Sequence, residues 1–415
     1  MSSYIITPPA EVKGTVEISG SKNAALPIIT AALLPDGATT LTRVPHLSDT
    51  KFMQEIISIL GHDCSWDDNQ MTIIPASRPI TDPPMELMSK LRASFLIMGP
   101  VLAKYGHIRI PYPGGCKIGA RPIDLHLKGF SAMGAELCQG HGYVEATCNH
   151  LEGADIYLDF PSVGATENLM MAACLARGIT NIENAAAEPE ILDLAEFLMQ
   201  CGAEIEGAGS DRITITGTDH LSPCQYEIIP DRIEAGTFLA IAAAAHGHLD
   251  IQNIRPAHLK PMTAKLEEMG VNLTIEGKSI EIDASAPLSA VDIKTLPYPG
   301  FPTDLQPQMT ALLSLSKGTG IVVETIFENR FMHIPELVRM GANIKVDGRT
   351  AVIDGVSGLT GAEVRATDLR AGAALTIAAL SANDATEIID IEHIERGYEN
   401  FPEKLNKIGI SVYKK

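Results

Sequence analysis

Two kinds of hydrophobic segment alternate along this chain. The first is apolar on nearly every side and rich in Ala: KNAALPIITAALLPDG, RASFLIMGPVLAKYG, GATENLMMAACLARG, EAGTFLAIAAAAHG, DLQPQMTALLSLSKG and DLRAGAALTIAALSAND. A helix without a polar face is buried on all sides. Five of these segments end at Gly37, Gly106, Gly178, Gly247 and Gly318, about 70 residues apart, and the sixth ends near Asn383. The second kind is amphipathic: KFMQEIISILG, DLHLKGFSAMG, ILDLAEFLMQCG, MTAKLEEMG, PELVRMG and FPEKLNKIG. Its glycines, 61, 134, 202, 270, 341 and 409, keep the same spacing of about 70. Glycine just past a helical pattern is a C-cap signal, because it takes φ > 0 without a Cβ clash.

Short alternating stretches lie between the helices: HIRIPY, YVEATC, IYLDF, RITITG, IEIDA and TAVIDG. They predict strands. The chain therefore reads as six repeats, each with two helices and several strands. The simplest packing gathers the all-apolar helices inside, with strands and amphipathic helices around them. Six repeats exceed a single core, so two groups of three are expected. The third repeat ends near Tyr226–Ile229 and Pro230-Asp231-Arg232 opens the fourth, which places the junction there. The first domain is then 20–229 and the second 230–415. The first residues precede repeat one, and the pattern alone gives them no partner.

Composition narrows the class. Hydrophobic residues are 45% and charged residues 20%, which argues for a large core and against disorder. Aromatics are only 5%, so that core is aliphatic and Ala-rich. The net charge of −19 counts against a nucleic-acid or anionic-membrane partner, though it permits a local cationic pocket. No apolar run approaches the roughly 18 residues of a membrane span. The opening MSSYIITPPAEVKG lacks a signal-peptide pattern. Seven cysteines form no CxxC pair, which disfavours a disulfide framework or zinc knuckle and favours a reducing cytoplasm. Cys174 and Cys201, in apolar helical stretches, read as small core residues.

Candidate chemistry gathers at the starts of the buried helices. Ser21-Lys22-Asn23, Arg92, Asp231-Arg232, Thr303-Asp304 and Thr367-Asp368-Leu369-Arg370 all stand there. Thr303 and Thr367 read as N-caps, with Asp304 and Asp368 as first-turn acids. Lys22, Arg92, Arg232 and Arg370 do not fit that reading, because a helix start disfavours cations. If the helices run parallel, these starts converge on one cationic, N–H-rich site for phosphate or carboxylate. Residues 111–127, PYPGGCKIGARPIDLHL, form a glycine-rich loop carrying Cys116, Lys117 and Arg121, and then a helix. Adjacent cations lower a thiol's pKa, yet a lone loop cysteine is also commonly inert. Glu328, Arg330 and His333 in ETIFENRFMHIPEL read either as a turn with an ion pair or as part of the site. Arg396 precedes Gly397 at a strand-to-helix connection. GAGS at 207–210 lacks the lysine of a phosphate loop.

Taken in order, GSKNAALPI (20–28), LRAS (91–94), PGGCKIGARPIDLHL (113–127), PSVGAT (161–166), ENAAAEPEI (183–191), PDRIEAGTF (230–238), FPTDLQPQ (301–308), TIFENRFMH (325–333), ATDLRAGA (366–373) and HIERGYE (393–399) resemble the UDP-N-acetylglucosamine 1-carboxyvinyltransferases, of the enolpyruvyl transferase family. The matches span essentially the whole chain. The sister 5-enolpyruvylshikimate-3-phosphate synthases share the repeat and typically open with a GSKS-type motif. Asn23 and the cysteine loop favour the UDP-sugar branch.

The resemblance implies an inside-out α/β barrel in two similar domains, each of three βαβαββ-type repeats, with residues 1–19 rejoining the second domain. It implies transfer of the enolpyruvyl group of phosphoenolpyruvate to the 3′-hydroxyl of UDP-N-acetylglucosamine, with release of phosphate, through a tetrahedral ketal. This is the first committed step of peptidoglycan synthesis. Neither metal nor redox cofactor is required by that chemistry, and the partners are these two small molecules.

Carried over by motif, Cys116 is the proton donor that forms a covalent phospholactoyl-type adduct, and Asp304 is the general base at the sugar hydroxyl. Asp368 supports proton transfer or orients a cation, and Arg396 joins the catalytic group. Lys22, Arg121, Arg370 and Arg396, with Asn23 beside them and Arg330 as a further candidate, hold phosphoenolpyruvate. Arg92, Arg121, Pro122, Ile123, Asp124, Leu125, Ser162, Val163, Gly164, Asp304 and Ile326 fall on the UDP-sugar side. One departure stands out: Phe160-Pro161 replaces a lysine that some members carry, so contacts to uridine or diphosphate differ there. Two other readings are a transferase for another acceptor, such as shikimate 3-phosphate, and a sugar-nucleotide sensor without catalysis. Intact Cys116 and Asp304 speak against the sensor.

Overall fold

A computed structural model describes residues 2–84, 88, 92–112, 119 and 123–415. Contacts divide the chain into two compact units. One comprises the residues up to Ser19 with Pro230–Lys415, and Gly119 groups with it. The other comprises the remaining residues from Gly20 to Ile229.

Each unit is built from one repeat used three times. A strand, an inner helix, a second strand parallel to the first, an outer helix and a closing antiparallel hairpin make up the repeat, although among the described residues the sheet of the second repeat shows only the three antiparallel strands His107–Pro111, Glu136–Gln139 and Tyr143–Thr147. The third repeat shows it plainly: Asp155–Tyr157, Val163–Ala173, Ile179–Glu183, Pro189–Gln200, Glu204–Glu206 and Arg212–Thr216. Ile182 lies opposite Ile156 in the parallel pair and opposite Ile213 in the antiparallel one. Alternation then puts these isoleucines on the inner face, where Ile156, Ile182 and Ile213 are buried.

Three repeats borrow a strand from elsewhere in the sequence. In the Gly20–Ile229 unit, Gln225–Glu227 pairs in parallel with Thr39–Thr42 and completes the first sheet. In the other unit, Lys13–Glu17 pairs with His248–Gln252. Ser3–Thr7 lies between Thr386–Ile389 and Ser411–Lys414. The N-terminal residues thus add one strand to the fourth repeat and one to the sixth.

The inner helices are buried all round, as their composition predicts. Every residue of Gln306–Leu313 is buried, and so are all but the first residues of Arg232–Ala244 and Leu369–Leu380. Ala and Gly let such helices approach closely: a Cβ on Gly372 would lie 2.3 Å from Ile394 Cγ1, and one on Gly236 2.6 Å from Leu305 Cδ1. This arrangement, helices within and sheets outside, is the inside-out α/β barrel.

The outer helices all end the same way. Gly61, Gly134, Gly202, Gly270, Gly341 and Gly409 take φ between +87° and +104°. In each case the glycine N–H and the next N–H fold back onto the last turn, as in Gly270 to Glu267 O and Val271 to Leu266 O, both 3.0 Å. This is the Schellman motif, with its apolar pair (Leu266 with Val271, Leu405 with Ile410) closing the end. The glycines after the inner helices act differently. Gly106 alone caps its helix in the left-handed conformation, at φ 74°. Gly37, Gly178 and Gly318 stand several residues beyond the helix end, in the turn that leads to the next strand. Gly247 has no positive φ, and His246 takes it instead at 49°. The inner helices need no glycine stop because their last turns tighten through bonds such as Leu33 N to Thr30 O.

Candidate active site

In the unit formed by the chain's two ends, three inner helices present their starts together with the segment 324–333. Asp231 caps Arg232–Ala244 by accepting from Ile233 N at 2.7 Å and Glu234 N at 3.0 Å. Asp368, not Thr367, caps Leu369–Leu380, accepting from Arg370 N at 2.9 Å and Ala371 N at 3.2 Å. Asp368, in extended backbone directly before the helix, stands at the capping position and its carboxylate reaches these amides, so the expected Thr367 cap is not made. Nor is Thr303 an N-cap. It opens the 3-10 turn Thr303–Leu305 and donates its hydroxyl to Glu324 Oε2 at 3.0 Å.

Asp304 sits in that turn with a guanidinium on each oxygen. Arg330 Nη2 donates to Oδ1 at 2.9 Å and Arg370 Nη2 to Oδ2 at 2.9 Å. Both arginines are buried, with 2% and 3% of the side chain exposed, while Asp304 keeps 26%. Arg330 also approaches Asp368 Oδ1 at 3.8 Å. The turn-and-ion-pair reading of ETIFENRFMH is corrected here: Arg330 pairs with Asp304, and Glu328 pairs with Arg349 at 3.5 Å.

Arg370 remains a cation despite burial. Desolvation works against its charge, but Asp304, Tyr398 and Asp231 outweigh it and raise the pKa. The Tyr398 hydroxyl accepts from Arg370 Nη1 at 3.4 Å and is shared with Thr237 Oγ1 at 2.9 Å and Gln308 Nε2 at 3.3 Å. Three helices thereby fix one guanidinium. His333 is wholly buried beside this cluster, and burial brings its pKa down to about 4, with Asp368 opposing. Its ring is neutral at neutral pH. Ile326 donates its N–H to Glu324 Oε1 at 2.8 Å. Arg396 ends the short Glu392–Glu395 helix and is half-buried.

In the Gly20–Ile229 unit, Ser21 caps Lys22–Ala31, and Lys22 Nζ meets Asp49 Oδ2 at 3.3 Å. Both side chains are nearly buried, and Asn23 follows on the same turn. A cation at a helix start is tolerated here because a carboxylate faces it. Arg92 opens the Arg92–Ile97 turn. Ser162 caps Val163–Ala173 through Ala165 N, with Val163 and Gly164 in its first turn. Ile123 is buried before the Asp124–Ala132 helix, where Asp124 is exposed and Leu125 half-buried. Asn168 ties these starts together: its amide donates to Phe95 O at 2.9 Å, meets His126 Nδ1 at 3.1 Å and accepts from Gly99 N at 2.6 Å. Cys116, Arg121 and Pro122 lie outside the described residues.

Four residues that hold this chemistry in place escape a reading of the sequence. Asp49 looks like an ordinary first-turn acid. Glu324 ends an alternating strand, Tyr398 follows a glycine, and Asn168 sits mid-helix. Only Asn168, which with Thr166 and Glu167 forms a buried polar run in a mainly apolar helix, carries a signal that sequence reasoning can use.

Among the described residues no group of three His, Cys, Asp or Glu side chains is placed to hold a metal, and no helix is long and apolar enough to cross a membrane.

Comparison with known proteins gives the arrangement its context. The family model described as EPSP synthase (3-phosphoshikimate 1-carboxyvinyltransferase) matches residues 6–405. The chain is 54% identical over 414 residues to UDP-N-acetylglucosamine 1-carboxyvinyltransferase 1 of Caldanaerobacter subterraneus, covering 100% of both. It is 52% identical to UDP-N-acetylglucosamine 1-carboxyvinyltransferase of Halothermothrix orenii, again over 100% of both. Among solved structures, the enolpyruvyl transferase NikO from Streptomyces tendae matches with a TM-score of 0.90 at 24% identity, over 100% of this chain and 98% of that one. EPSP synthase from Acinetobacter baumannii matches with a TM-score of 0.79 at 18% identity, over 100% of both chains. These two likenesses concern the fold. The full-length identities decide the branch: the chain belongs to the EPSP synthase family and, within it, to the UDP-N-acetylglucosamine 1-carboxyvinyltransferases.

Proposed function

We propose that this chain transfers the enolpyruvyl group of phosphoenolpyruvate to the 3′-hydroxyl of UDP-N-acetylglucosamine and releases phosphate, in the cytoplasm and as the first committed step of peptidoglycan synthesis. The observation that carries this is identity above half, over the full length, to an enzyme named for that acceptor. The reaction needs an acid at C3 of the enol, a base at the sugar hydroxyl, and cations for phosphate and carboxylate.

Cys116 is the acid and Asp304 the base in this reading. Lys22, Arg121, Arg330, Arg370 and Arg396 hold phosphoenolpyruvate, with Asn23 beside Lys22. Arg92, Arg121–Leu125, Ser162–Gly164 and Ile326 serve the sugar nucleotide, and Asp368 orients Arg370 from the helix cap. The geometry around Asp304 supports the assignment. Two buried guanidiniums are held by the carboxylates of Asp304 and Asp368. An anionic substrate competes with Asp304 for Arg330 and Arg370. A carboxylate held by two cations is a weak base. Once phosphoenolpyruvate takes the guanidiniums, the carboxylate is released to act on the acceptor hydroxyl.

Phosphate release tests the reading. With phosphoenolpyruvate, UDP-N-acetylglucosamine should support release and shikimate 3-phosphate should not. Release with the shikimate alone assigns the chain to the other acceptor, and release with neither removes the catalytic reading.

A further inference from the structure

Glu324 is 1% exposed, and four donors converge on its carboxylate. Oε1 accepts from Thr295 Oγ1 at 2.9 Å, Ile326 N at 2.8 Å and Phe327 N at 3.1 Å. Oε2 accepts from Thr303 Oγ1 at 3.0 Å. Among the described residues no cation pairs with it. Four hydrogen bonds replace the water that burial removed. A carboxylate in that position is costly to keep, and an apolar residue would close a strand end as well. What it joins is specific. One oxygen holds the turn that carries Asp304, and the other holds the backbone of Ile326 and Phe327. Thr295 closes the knot, since its hydroxyl accepts from Thr325 N at 2.8 Å and its carbonyl from Thr325 Oγ1 at 2.6 Å.

We propose that Glu324 is a positioning residue for the transfer, setting the Asp304 turn and the Ile326 backbone in fixed register. This rests on the proposed roles of Asp304 as base and Ile326 as a contact of the sugar nucleotide. Asp304 must sit within hydrogen-bond reach of one hydroxyl, and displacement by about 1 Å costs on the order of a hundredfold in rate. The two arms of Glu324 therefore have separable kinetic signatures. Loss of the Thr303 arm loosens the base and lowers kcat. Loss of the Ile326 arm loosens the nucleotide contact and raises KM for UDP-N-acetylglucosamine.

The test compares Thr303→Val, Thr303→Ser, Glu324→Ala and Glu324→Gln in the full chain. Thr303→Val keeps shape and removes only the hydroxyl. It should lower kcat about tenfold or more with KM for the sugar nucleotide nearly unchanged, and Thr303→Ser should recover most of the loss. Glu324→Ala should lower kcat and raise KM together. Glu324→Gln should recover much of both, because its amide oxygen can serve the three donors on Oε1 while its NH2 turns to the Thr303 hydroxyl. If Glu324→Ala does not fold, the Thr303 pair decides. A Thr303→Val protein with wild-type kcat, or with raised KM and unaltered kcat, overturns the proposal. Inactive wild-type protein instead refutes the reading on which it rests.

Discussion

Asp304 Oδ2 and Arg370 Nη2 meet at 2.9 Å, joining the turn at 303–305 to the start of the Leu369–Leu380 helix. The pair makes the carboxylate and the guanidinium answer to one another. Whatever anion engages Arg370 changes the state of Asp304.

Replacing Asp304 with Asn tests this coupling. The amide keeps the shape and an acceptor for one guanidinium but has no basicity. Turnover should fall about 10²–10⁴-fold, with folding and binding of UDP-N-acetylglucosamine retained. Asp304→Ala is the poorer probe: both variants remove the charge, but Ala also leaves neither buried guanidinium an acceptor at this position, so stability changes more. Near-full turnover by a folded Asp304→Asn protein would make the acid structural.

The glycines divide into two physical classes. Gly341 has φ +98° with open space around a notional Cβ, whereas Gly372 sits in a helix with Ile394 Cγ1 at 2.3 Å. Gly341→Ala should cost about 1 kcal/mol through backbone strain alone, and Gly341→Asn less, since Asn tolerates the left-handed region. Gly372→Ala should cost about 1–3 kcal/mol through overpacking. Urea denaturation of the three variants checks the order. A smaller loss at Gly372 than at Gly341, or a larger loss for Gly341→Asn than for Gly341→Ala, would contradict it.

Most of the repeat was legible because it depends on local physics. All-round burial makes six helices Ala-rich, and the Schellman ends require glycine wherever an outer helix stops. The borrowed strands were not legible, since Ser3–Thr7 and Gln225–Glu227 pair far along the chain and nothing in their own residues names the partner. Lys22 and Arg370 stood out in the sequence because cations at helix starts need a reason, whereas Asp304 and Arg330 drew attention through the motifs that carry the family resemblance. Asp49, Glu324 and Tyr398 did not, because each looks ordinary until its partner is known. The caps at 303 and 367 went astray in different ways: Thr303 and Asp304 are both taken by tertiary partners and neither caps, whereas at 367 the following residue, Asp368, is the one that caps.

Acid should destabilise the fold in a defined window. Burial brings His62 and His333 down to about 4, against an ordinary value of 6.5. Between these values the unfolded chain binds protons that the folded chain does not. The contribution of these histidines is therefore complete above about pH 6.5 and falls as pH drops towards 4, by up to about 1.4 kcal/mol per pH unit for each, while buried Glu167, raised by desolvation, acts in the opposite sense. His62 Nδ1 accepts from Ala76 N at 2.9 Å, a role that Gln can fill. His62→Gln should flatten the slope between pH 6.5 and 4 in denaturant titrations. An unchanged slope would exclude His62 as a source.

An epoxide phosphonate such as fosfomycin should label Cys116. The sequence places Lys117 and Arg121 close along the chain to Cys116, a pattern expected to favour its thiolate, while burial raises the pKa of Cys64, Cys148 and Cys174. Exposed Cys138 and the Cys224 thiol, which Cys201 lowers, are the competitors. Peptide mapping should place most of the adduct on Cys116. Adduct mainly on Cys138 or Cys224 would refute the loop's role.

The most direct test of the account follows one carbon. Phosphoenolpyruvate labelled with 13C at C2 is incubated with the enzyme and UDP-N-acetylglucosamine, and the product is examined by long-range carbon–proton NMR correlation. The account predicts that labelled C2 becomes an enol ether carbon correlated with the proton at C3′ of the sugar, with one phosphate released per sugar nucleotide consumed. Label that stays in phosphoenolpyruvate, passes to pyruvate, or correlates with a different sugar proton would contradict it.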